Sequence, residues 1–239
     1  MANDGASLSH VIILSSLSDA ERGAFASELK WRRIATGENV IKHLNDDSQV
    51  YFLISGALKV SVQSPVGKEV FIRRLSPGEH FGEIAALAGL QRSVDVRAEQ
   101  DCEIAECSSE AFNNTLSAHP ACALALAKSL AQLVVNLTDR LFELAALETR
   151  FRIYAELLRL MRGAKKTERG PLIENMPTRA VLAASIGTQR EAVSREINEL
   201  EKAGIVERMP GRRLLILDAK RLRAEIAQRG GPLVSHGAA

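Results

Sequence analysis

Two groups of polar residues in this chain have the types and spacing suited to binding anions. The first is Phe81-Gly82-Glu83, followed nine residues after Glu83 by Arg92-Ser93. A helix that begins here offers free backbone N–H groups to a phosphate, and the fork of Arg92 can pair with the same phosphate bidentately. Ser93 adds a hydroxyl, and Glu83 can accept a hydrogen bond from a sugar hydroxyl. The alternative is a surface ion pair between Glu83 and Arg92.

The second group lies at the start of a predicted helix in the C-terminal part of the chain: Gln189, Arg190, Glu191, Ser194 and Arg195. An Arg fork can bond O6 and N7 of guanine together, and Glu can accept from N4 of cytosine. Arg190, Glu191 and Arg195 fall within the first two turns, so this helix can read base edges. In the alternative interpretation the arginines form a solvated face and Glu191 is only a cap.

The elements predicted around this second group form a winged helix-turn-helix. Helices over residues 178–185 and 189–202 flank a tight turn at Gly187, and a hairpin turning at Pro210-Gly211 follows. Thr188 is the predicted N-cap of the second helix, with Glu191 at the capping-box position. Before this module, the sequence predicts a helix over 150–162 and a polar loop over 163–171.

Further residues of this module can contact the DNA backbone. Thr178 is the predicted N-cap of the first helix, and its hydroxyl or amide can also reach a phosphate. Arg212 and Arg213 on the hairpin can contact phosphates or remain solvated.

Charge separates this module from the rest of the chain. The whole chain has a net charge of only +2. Residues 150–239 contain 18 Lys or Arg and 10 Asp or Glu, a net +8, whereas the preceding residues contain 13 and 19, a net −6. A basic module of this kind favours a nucleic-acid partner.

The acidic part begins with a short helix and continues as a β-domain. Ser18 and Glu21 have capping-box spacing at the start of a helix over 18–30. Short β-rich runs broken by Gly and Pro then extend over 31–109, which is typical of a jelly roll. The predicted fold class is α+β: an N-terminal β jelly roll, a long helix and a C-terminal winged helix-turn-helix.

A long helix is predicted after Pro120. Its seam residues recur at alternating steps of three and four, as in a two-stranded coiled coil: Ala127, Leu130, Val134, Leu137, Leu141, Leu144 and Glu148. This continuous seam favours a homodimer, and packing of the helix on its own domain is the alternative.

Composition excludes several classes of protein. No uncharged apolar stretch approaches the ~18 residues of a membrane span, and the N-terminal residues do not read as a signal peptide. We therefore expect a cytoplasmic protein without a membrane partner. The three cysteines do not have metal-ligand spacing, which argues against a zinc site or an iron–sulfur cluster.

No clustered nucleophile, base or metal set is visible, so we expect neither an enzyme nor a bound metal. A jelly-roll metal enzyme of the cupin type would cluster two or three His with a carboxylate. The five His of this chain are scattered, and His80 alone lies near the first polar group: His10, His43, His80, His119 and His236.

The run SPGEHFGEIAALAGLQRSVDVRA resembles the phosphate-binding cassette of cyclic-nucleotide-binding domains. Together with the long helix and the helix-turn-helix, it resembles the bacterial Crp–Fnr regulators over roughly residues 17–217. The Gly56 hairpin and the strand start Gly67-Lys68-Glu69 also fit this family.

The resemblance implies residue roles for a cyclic AMP or cyclic GMP effector. The cassette Gly and Glu would hold the ribose, and the Arg and Ser would hold the cyclic phosphate. The base would lie near residues of two strands and of the long helix, with Thr138 coming from the partner subunit. The implied site is Val60, Ile72, Arg73, Phe81, Gly82, Glu83, Ile84, Arg92, Ser93, Asn136 and Thr138.

Departures from the family pattern affect the choice of nucleotide. The family has two adjacent hydroxyl residues where this chain has Leu137-Thr138, and Leu133 replaces a basic residue. Arg73 offers donors to the acceptors of guanine, so cyclic GMP stands beside cyclic AMP.

The resemblance also implies DNA reading by Arg190, Glu191 and Arg195 on a palindromic, TGTGA-like site, and contact with RNA polymerase. We expect a β-roll domain over 1–119, a dimerisation helix over 120–148 and a DNA-binding domain over 149–239. Effector binding would then shift the DNA-binding domains between two placements. The alternative function is a sensor of the same family for a redox, gas or other small-molecule signal.

Overall fold

The computed structural model describes residues 5–63 and 69–230. The predicted strand start at Gly67-Lys68 lies outside these residues. The sequence also predicts a disordered tail over 230–239, of which residues 231–239 lie outside the described part. The chain divides into two compact units, residues 1–134 and 135–239. The domain bounds given above stay a prediction.

The first unit is a jelly roll of two four-stranded antiparallel sheets, as predicted. One sheet has the order β1-β8-β3-β6 and the other the order β2-β7-β4-β5. The strands are β1 (Lys30–Ile34), β2 (Asn39–Ile41), β3 (Val50–Ser55), β4 (Leu58–Gln63), β5 (Glu69–Leu75), β6 (His80–Phe81), β7 (Asp95–Ala98) and β8 (Cys102–Cys107).

Helices precede and follow these strands in the chain, and one lies between β6 and β7. They are α1 (Asp19–Ser27), α2 (Glu83–Ala88), α3 (Ser109–Ala118) and the first part of α4 (Pro120–Ala146). Ser18 caps α1 with the predicted box, because its hydroxyl accepts from Glu21 N and the Glu21 carboxylate accepts from Ser18 N.

Strand β3 is buried on both faces and therefore joins two cores. Phe52 and its same-face neighbours pack with the helices, and Tyr51 and Leu53 pack between the sheets. A strand covered on both faces is a near-continuous apolar run, as in VYFLI.

The second unit contains the end of α4 and the winged helix-turn-helix. Its elements are α5 (Thr149–Leu160), β9 (Lys165–Thr167), β10 (Gly170–Ile173), α6 (Arg179–Ser185), α7 (Arg190–Lys202), β11 (Val206–Met209), β12 (Arg213–Ile216) and α8 (Ala219–Gly230). The four strands form one antiparallel sheet of order β11-β12-β10-β9.

The predicted loop over 163–171 is wrong, because β9 and β10 pair there. The segment is short and polar, so it has no apolar alternation to mark strands. Tertiary pairing decides its structure: β10 lies beside β12, and a Cβ on Gly170 would be only 2.2 Å from the carbonyl oxygen of Ile216. Helix α8 was not predicted from the sequence.

The predicted cap of α7 is wrong as well. Gln189 is the N-cap of α7 and makes no side-chain cap hydrogen bond. The backbone N–H of Thr188 donates instead to the carbonyl of Ala183 at 2.9 Å, which closes the turn after α6.

A partly buried charge cluster joins the end of α4 to α5. Arg159 donates to both carboxylate oxygens of Glu143, at 2.7 and 2.9 Å, and pairs with Glu156. Arg140 also faces Glu156, at 3.8 Å, and donates to the carbonyl of Ser185 at 3.3 Å. Both arginines and Glu156 have more than one polar partner. The cluster therefore holds the short break between α4 and α5, at Leu147 and Glu148, in one geometry.

Helix α4 leaves most of its apolar residues exposed. Among the described residues it alone is long and apolar enough, by length and composition, to cross a membrane. The stricter sequence criterion, which admitted no charge, excluded this helix because it contains Lys128. The exposed fraction reaches 68% at Leu141 and 62% at Val134.

Candidate functional site

Gly82 sets the geometry of the first polar group. It is the N-cap of α2 and has φ +88°, a conformation that strongly favours glycine. A Cβ on Gly82 would lie 2.7 Å from the carbonyl oxygen of Gln49 and 2.8 Å from Nη1 of Arg92. The absent side chain therefore lets the Arg92 guanidinium reach the start of α2.

Arg92 is buried, with 2% of its surface exposed. Its Nη1 donates to the carbonyl of Gly82 at 2.9 Å, and its Nη2 donates to the carbonyl of Gln49 at 2.6 Å. Its Nε donates to Oδ1 of Asp47 at 2.8 Å, and Nη2 donates to the same oxygen. Four of the five N–H donors of the guanidinium are thus used within the domain.

The alternative of a surface Glu83–Arg92 ion pair is wrong, since both side chains are buried and Arg92 pairs with Asp47. Sequence reasoning missed Asp47 and Gln49. Asp47 stands in the polar run Asn45-Asp46-Asp47, 45 residues before Arg92, and nothing local distinguishes it from a turn residue.

Glu83 and His80 are buried, and Glu83 lies close enough to this arginine to interact with its charge. Glu83 is 4% exposed, and burial raises the pKa of its carboxyl, opposed by a backbone hydrogen bond and by Arg73 and Arg92. Burial, and then the charge of Arg73, lower the pKa of His80 to about 4. His80 is therefore neutral near pH 7, and the charged form of Glu83 is disfavoured relative to water.

The other predicted ligand residues fall into two groups. Val60 and Phe81 are buried, and Val60 pairs with Arg73 across β4 and β5. Arg73 forms an ion pair of 2.6 Å with Glu79. The remaining residues are half-buried or exposed: Ile72, Ile84, Ser93, Asn136 and Thr138. Asn136 and Thr138 lie on the part of α4 that belongs to the second unit, so their contact with an effector stays a prediction.

The second polar group lies on the outer face of α7. Val193 and Ile197 are buried on the inner face of this helix, whereas Arg190 and Arg195 are exposed. Gln189 and Glu191 are also exposed, and Ser194 is half-buried. The sequence pattern thus identified the outward-facing residues of the helix, and their contact with bases stays a prediction.

A cavity of about 510 Å³ lies beside the start of α7. Five guanidinium groups line it, together with Thr178 and apolar residues: Arg179, Arg190, Arg208, Arg212 and Arg213. Thr178 caps α6 by accepting from the N–H of Val181 at 3.3 Å, as predicted.

The arginines of this cavity differ in their partners. Arg208 is held by the carboxylate of Glu201, with Nε at 2.8 Å. Among the ion pairs of the described residues, none includes Arg179, Arg190 or Arg212. Burial and the neighbouring Arg208 lower the pKa of Arg179. This concentration of positive charge suits an anion such as a DNA phosphate.

The cysteines and acidic residues form no metal site in the described part of the chain, where no three His, Cys, Asp or Glu side chains are grouped to hold an ion. Cys102, Cys107 and Cys122 are buried, and burial raises the pKa of Cys107 to about 12.

Family models match both units. Residues 31–119 match the cyclic nucleotide-binding domain, and residues 151–225 match the Crp-like helix-turn-helix domain. The cAMP-activated global transcriptional regulator CRP of Pasteurella multocida is 30% identical over 158 residues, which cover 66% of this chain and 76% of that protein. The chain belongs to the Crp–Fnr family.

Other relatives of this Crp–Fnr regulator agree with that placement. The regulator CRP of Haemophilus influenzae is 28% identical over 171 residues, covering 71% of this chain and 76% of that protein. The family consists of DNA-binding transcription regulators, and this member carries a cyclic nucleotide-binding domain.

Two solved structures share the fold. A CooA mutant from Carboxydothermus hydrogenoformans has a TM-score of 0.77 at 24% identity, covering 89% of this chain and 93% of its own. The c-di-GMP responsive regulator CLP of Xanthomonas campestris has a TM-score of 0.68 at 23% identity, covering 80% and 95%. At such identity the likeness concerns the fold alone.

Proposed function

We propose that this Crp–Fnr regulator binds cyclic AMP, cyclic GMP or both in its jelly roll, and that the nucleotide changes its affinity for DNA. The observation that carries the proposal is Arg92, buried against the glycine N-cap of α2 with its Nη1 at the Gly82 carbonyl. A cyclic phosphate at this helix start is stabilised by the guanidinium and by backbone N–H groups. Glu83, Ser93 and the strand residues named above complete the proposed site.

Nucleotide binding at Arg92 is coupled to the loop that contains Asp47. One N–H of the guanidinium has no partner among the described residues. A phosphate that binds bidentately needs two, so it must displace at least one of the present acceptors. The proposed ligand step therefore moves Asp47 or a neighbouring carbonyl.

The proposed assembly is a homodimer formed along α4. Leu137, Leu141 and Leu144 are exposed at steps of four and three residues, which forms an apolar seam. We propose that a second copy covers this seam and that residues 120–148 act as the dimerisation segment, between a β-roll domain (1–119) and a DNA-binding domain (149–239).

The proposed DNA site is palindromic and TGTGA-like, with one half-site for each α7 of the dimer. Arg190, Glu191 and Arg195 would read bases, and Thr178 and the cavity arginines other than Arg190 would bind phosphates. A cytoplasmic location and contact with RNA polymerase follow from this role. The proposal includes no catalytic activity and no metal.

A second candidate function is a response to an effector of another class. The ion pair of Arg92 with Asp47 favours it, because an internal carboxylate already serves as the anion partner of this arginine. In that case neither cyclic nucleotide would bind.

Calorimetric titration of the purified protein with cyclic AMP and with cyclic GMP tests the proposal. We expect saturable binding of at least one nucleotide, followed by tighter and selective binding to fragments from a random DNA pool. Absence of binding for both nucleotides would contradict the proposal and support the second candidate.

A further inference from the structure

The recognition helix α7 is attached to α5 by a polar contact in addition to its apolar face. Val193, Ile197 and Leu200 of α7 are buried in the core of the second unit. This apolar stripe determines which face of α7 points inward. The hydrophobic effect itself has no direction, so a directional polar contact can constrain the rotation of the helix about its axis further.

Tyr154 of α5 supplies that contact. Its hydroxyl donates to Oε1 of Glu196 on α7 at 2.5 Å. Nη2 of Arg150 donates to the same hydroxyl oxygen at 3.2 Å and lies 3.9 Å from the carboxylate of Glu225 on α8. Tyr154 and Arg150 together connect α5 to α7 and α8.

The position of this hydroxyl is itself well constrained. Tyr154 is 3% exposed, and its ring packs edge-on against Phe151, with 5.8 Å between centroids and 89° between planes. The guanidinium of Arg150 lies over both rings, 5.1 and 5.8 Å from their centroids. The phenol cannot follow Glu196 if α7 rotates, so rotation would break the hydrogen bond.

The bond is charge-assisted, because its acceptor is a carboxylate. Burial and the hydrogen bond to Glu196 raise the pKa of Tyr154 to about 12. The phenol therefore stays protonated and donates throughout the physiological pH range.

Glu196 follows Arg195 directly in α7. An α-helix turns by about 100° per residue, so holding Glu196 toward α5 determines the direction in which Arg195 leaves the helix. Arg195 and Glu196 border the same cavity of about 470 Å³, which Arg150 and Ile153 of α5 also line. The contact also keeps the Glu196 carboxylate on the α5 side, away from DNA phosphates that it would repel.

We propose that Tyr154 is a positioning residue for DNA recognition: through Glu196 it sets the rotation of α7 and hence the base preference of Arg195. This inference rests on the proposed base-reading role of Arg195. Among the described residues, α7 makes one side-chain ion pair to a neighbouring element, Glu201 with Arg208 of β11. That pair lies near the C-terminal end of α7, whereas the contact of Glu196 with Tyr154 lies in the middle of the helix.

Three variants of the full-length protein test the proposal. Tyr154→Phe removes the donor and keeps the ring, whereas Glu196→Gln keeps an acceptor for the phenol. Glu199→Gln is the matched control on the same helix, since Glu199 pairs only with Lys202 one turn away. Each protein is assayed against every single-base-pair variant of the site that the wild type selects from random DNA.

We expect Tyr154→Phe to lose roughly three- to tenfold in discrimination at the base pair assigned to Arg195, part of the value of one good base contact. Affinity for unrelated DNA should stay unchanged. Glu196→Gln should retain most of the discrimination, and Glu199→Gln should retain all of it. A merely structural role of Tyr154 would lower the active fraction and the melting temperature without altering base preference.

Several outcomes would overturn the proposal: unchanged discrimination in Tyr154→Phe, an equal loss on all sequences, or the same loss in Glu199→Gln. Arg195→Ala separates this inference from the assignment on which it depends. If Arg195→Ala changes base preference and Tyr154→Phe does not, Arg195 reads DNA without Tyr154. If neither variant changes it, the base-reading assignment fails as well.

Discussion

The two proposed binding regions of this protein both use arginine, in opposite physical states. Arg92 of the jelly roll is buried and donates four hydrogen bonds within its own domain. Arg190 and Arg212 of the winged helix-turn-helix are exposed and form no ion pair among the described residues. The buried site has its orientation built in at a cost of desolvation, whereas the exposed face remains hydrated until DNA phosphates replace water and counterions.

The largest expected effect comes from removing the buried arginine. Arg92→Ala should weaken cyclic-nucleotide binding by about 1000-fold or more, because a buried charged contact and its orienting bonds are lost together. Arg97→Ala, a change at an exposed arginine on β7, should leave the affinity unchanged. Calorimetry measures the nucleotide affinity of both variants, and circular dichroism checks that they are folded. Unchanged affinity in Arg92→Ala would refute the proposed nucleotide site.

The pH dependence of stability tests the cost of burying His80, which lies on β6 just before α2. The pKa of His80 falls from 6.5 to about 4 in the folded protein, so the folded state keeps His80 neutral where the unfolded chain binds a proton. The contribution of neutral His80 to the free energy of unfolding is therefore fully present above pH 6.5. This free energy decreases by about 3 kcal/mol as the pH falls toward 4.

His80→Gln should flatten the stability curve in this pH window, as measured by denaturant unfolding between pH 7 and 4. His119→Gln, at a partly exposed histidine, serves as the control. The same slope in wild type and His80→Gln would show that His80 is not the group responsible.

A smaller effect is expected for one arginine of the exposed face. Arg190→Ala should cost about 1 to 3 kcal/mol on the preferred DNA site and relax the preference at one base pair. Lys202→Ala at the far end of α7 should change neither. Fluorescence anisotropy with single-base variants of the site measures both quantities; a uniform loss on all sequences would make Arg190 a phosphate contact.

The smallest effect is expected at the turn of the wing. Arg212→Ala should weaken binding to all sequences roughly fivefold at 0.15 M salt and reduce the slope of log K against log salt by about 1, the loss of one phosphate contact. A change in base preference instead of the salt slope would contradict this role. Together, Arg190→Ala and Arg212→Ala separate base recognition from electrostatic attraction to phosphates on the exposed face of the winged helix-turn-helix.

Features that depend on neighbours in sequence were predicted well. The capping box at Ser18, the helix start after Gly82 and the outward face of α7 follow from residue types within one or two turns. Features that depend on distant contacts were not: Asp47 as the partner of Arg92, the pairing of β10 with β12, and the contact of Tyr154 with Glu196. The cap at Thr188 is an exception, a local feature that was predicted wrongly, since its N–H closes a turn with the nearby Ala183.

The sequence by itself determined the family, the order of the elements and which residue types stand at the two binding regions, because periodicity, turn residues and local charge are readable along the chain. Only the tertiary structure decided which of those charges are already satisfied. Arg92 meets Asp47 across 45 positions and Tyr154 meets Glu196 across 42. The burial of a side chain and its hydrogen-bond partners are determined when distant segments pack together, so they cannot be predicted from the charge pattern of either segment alone.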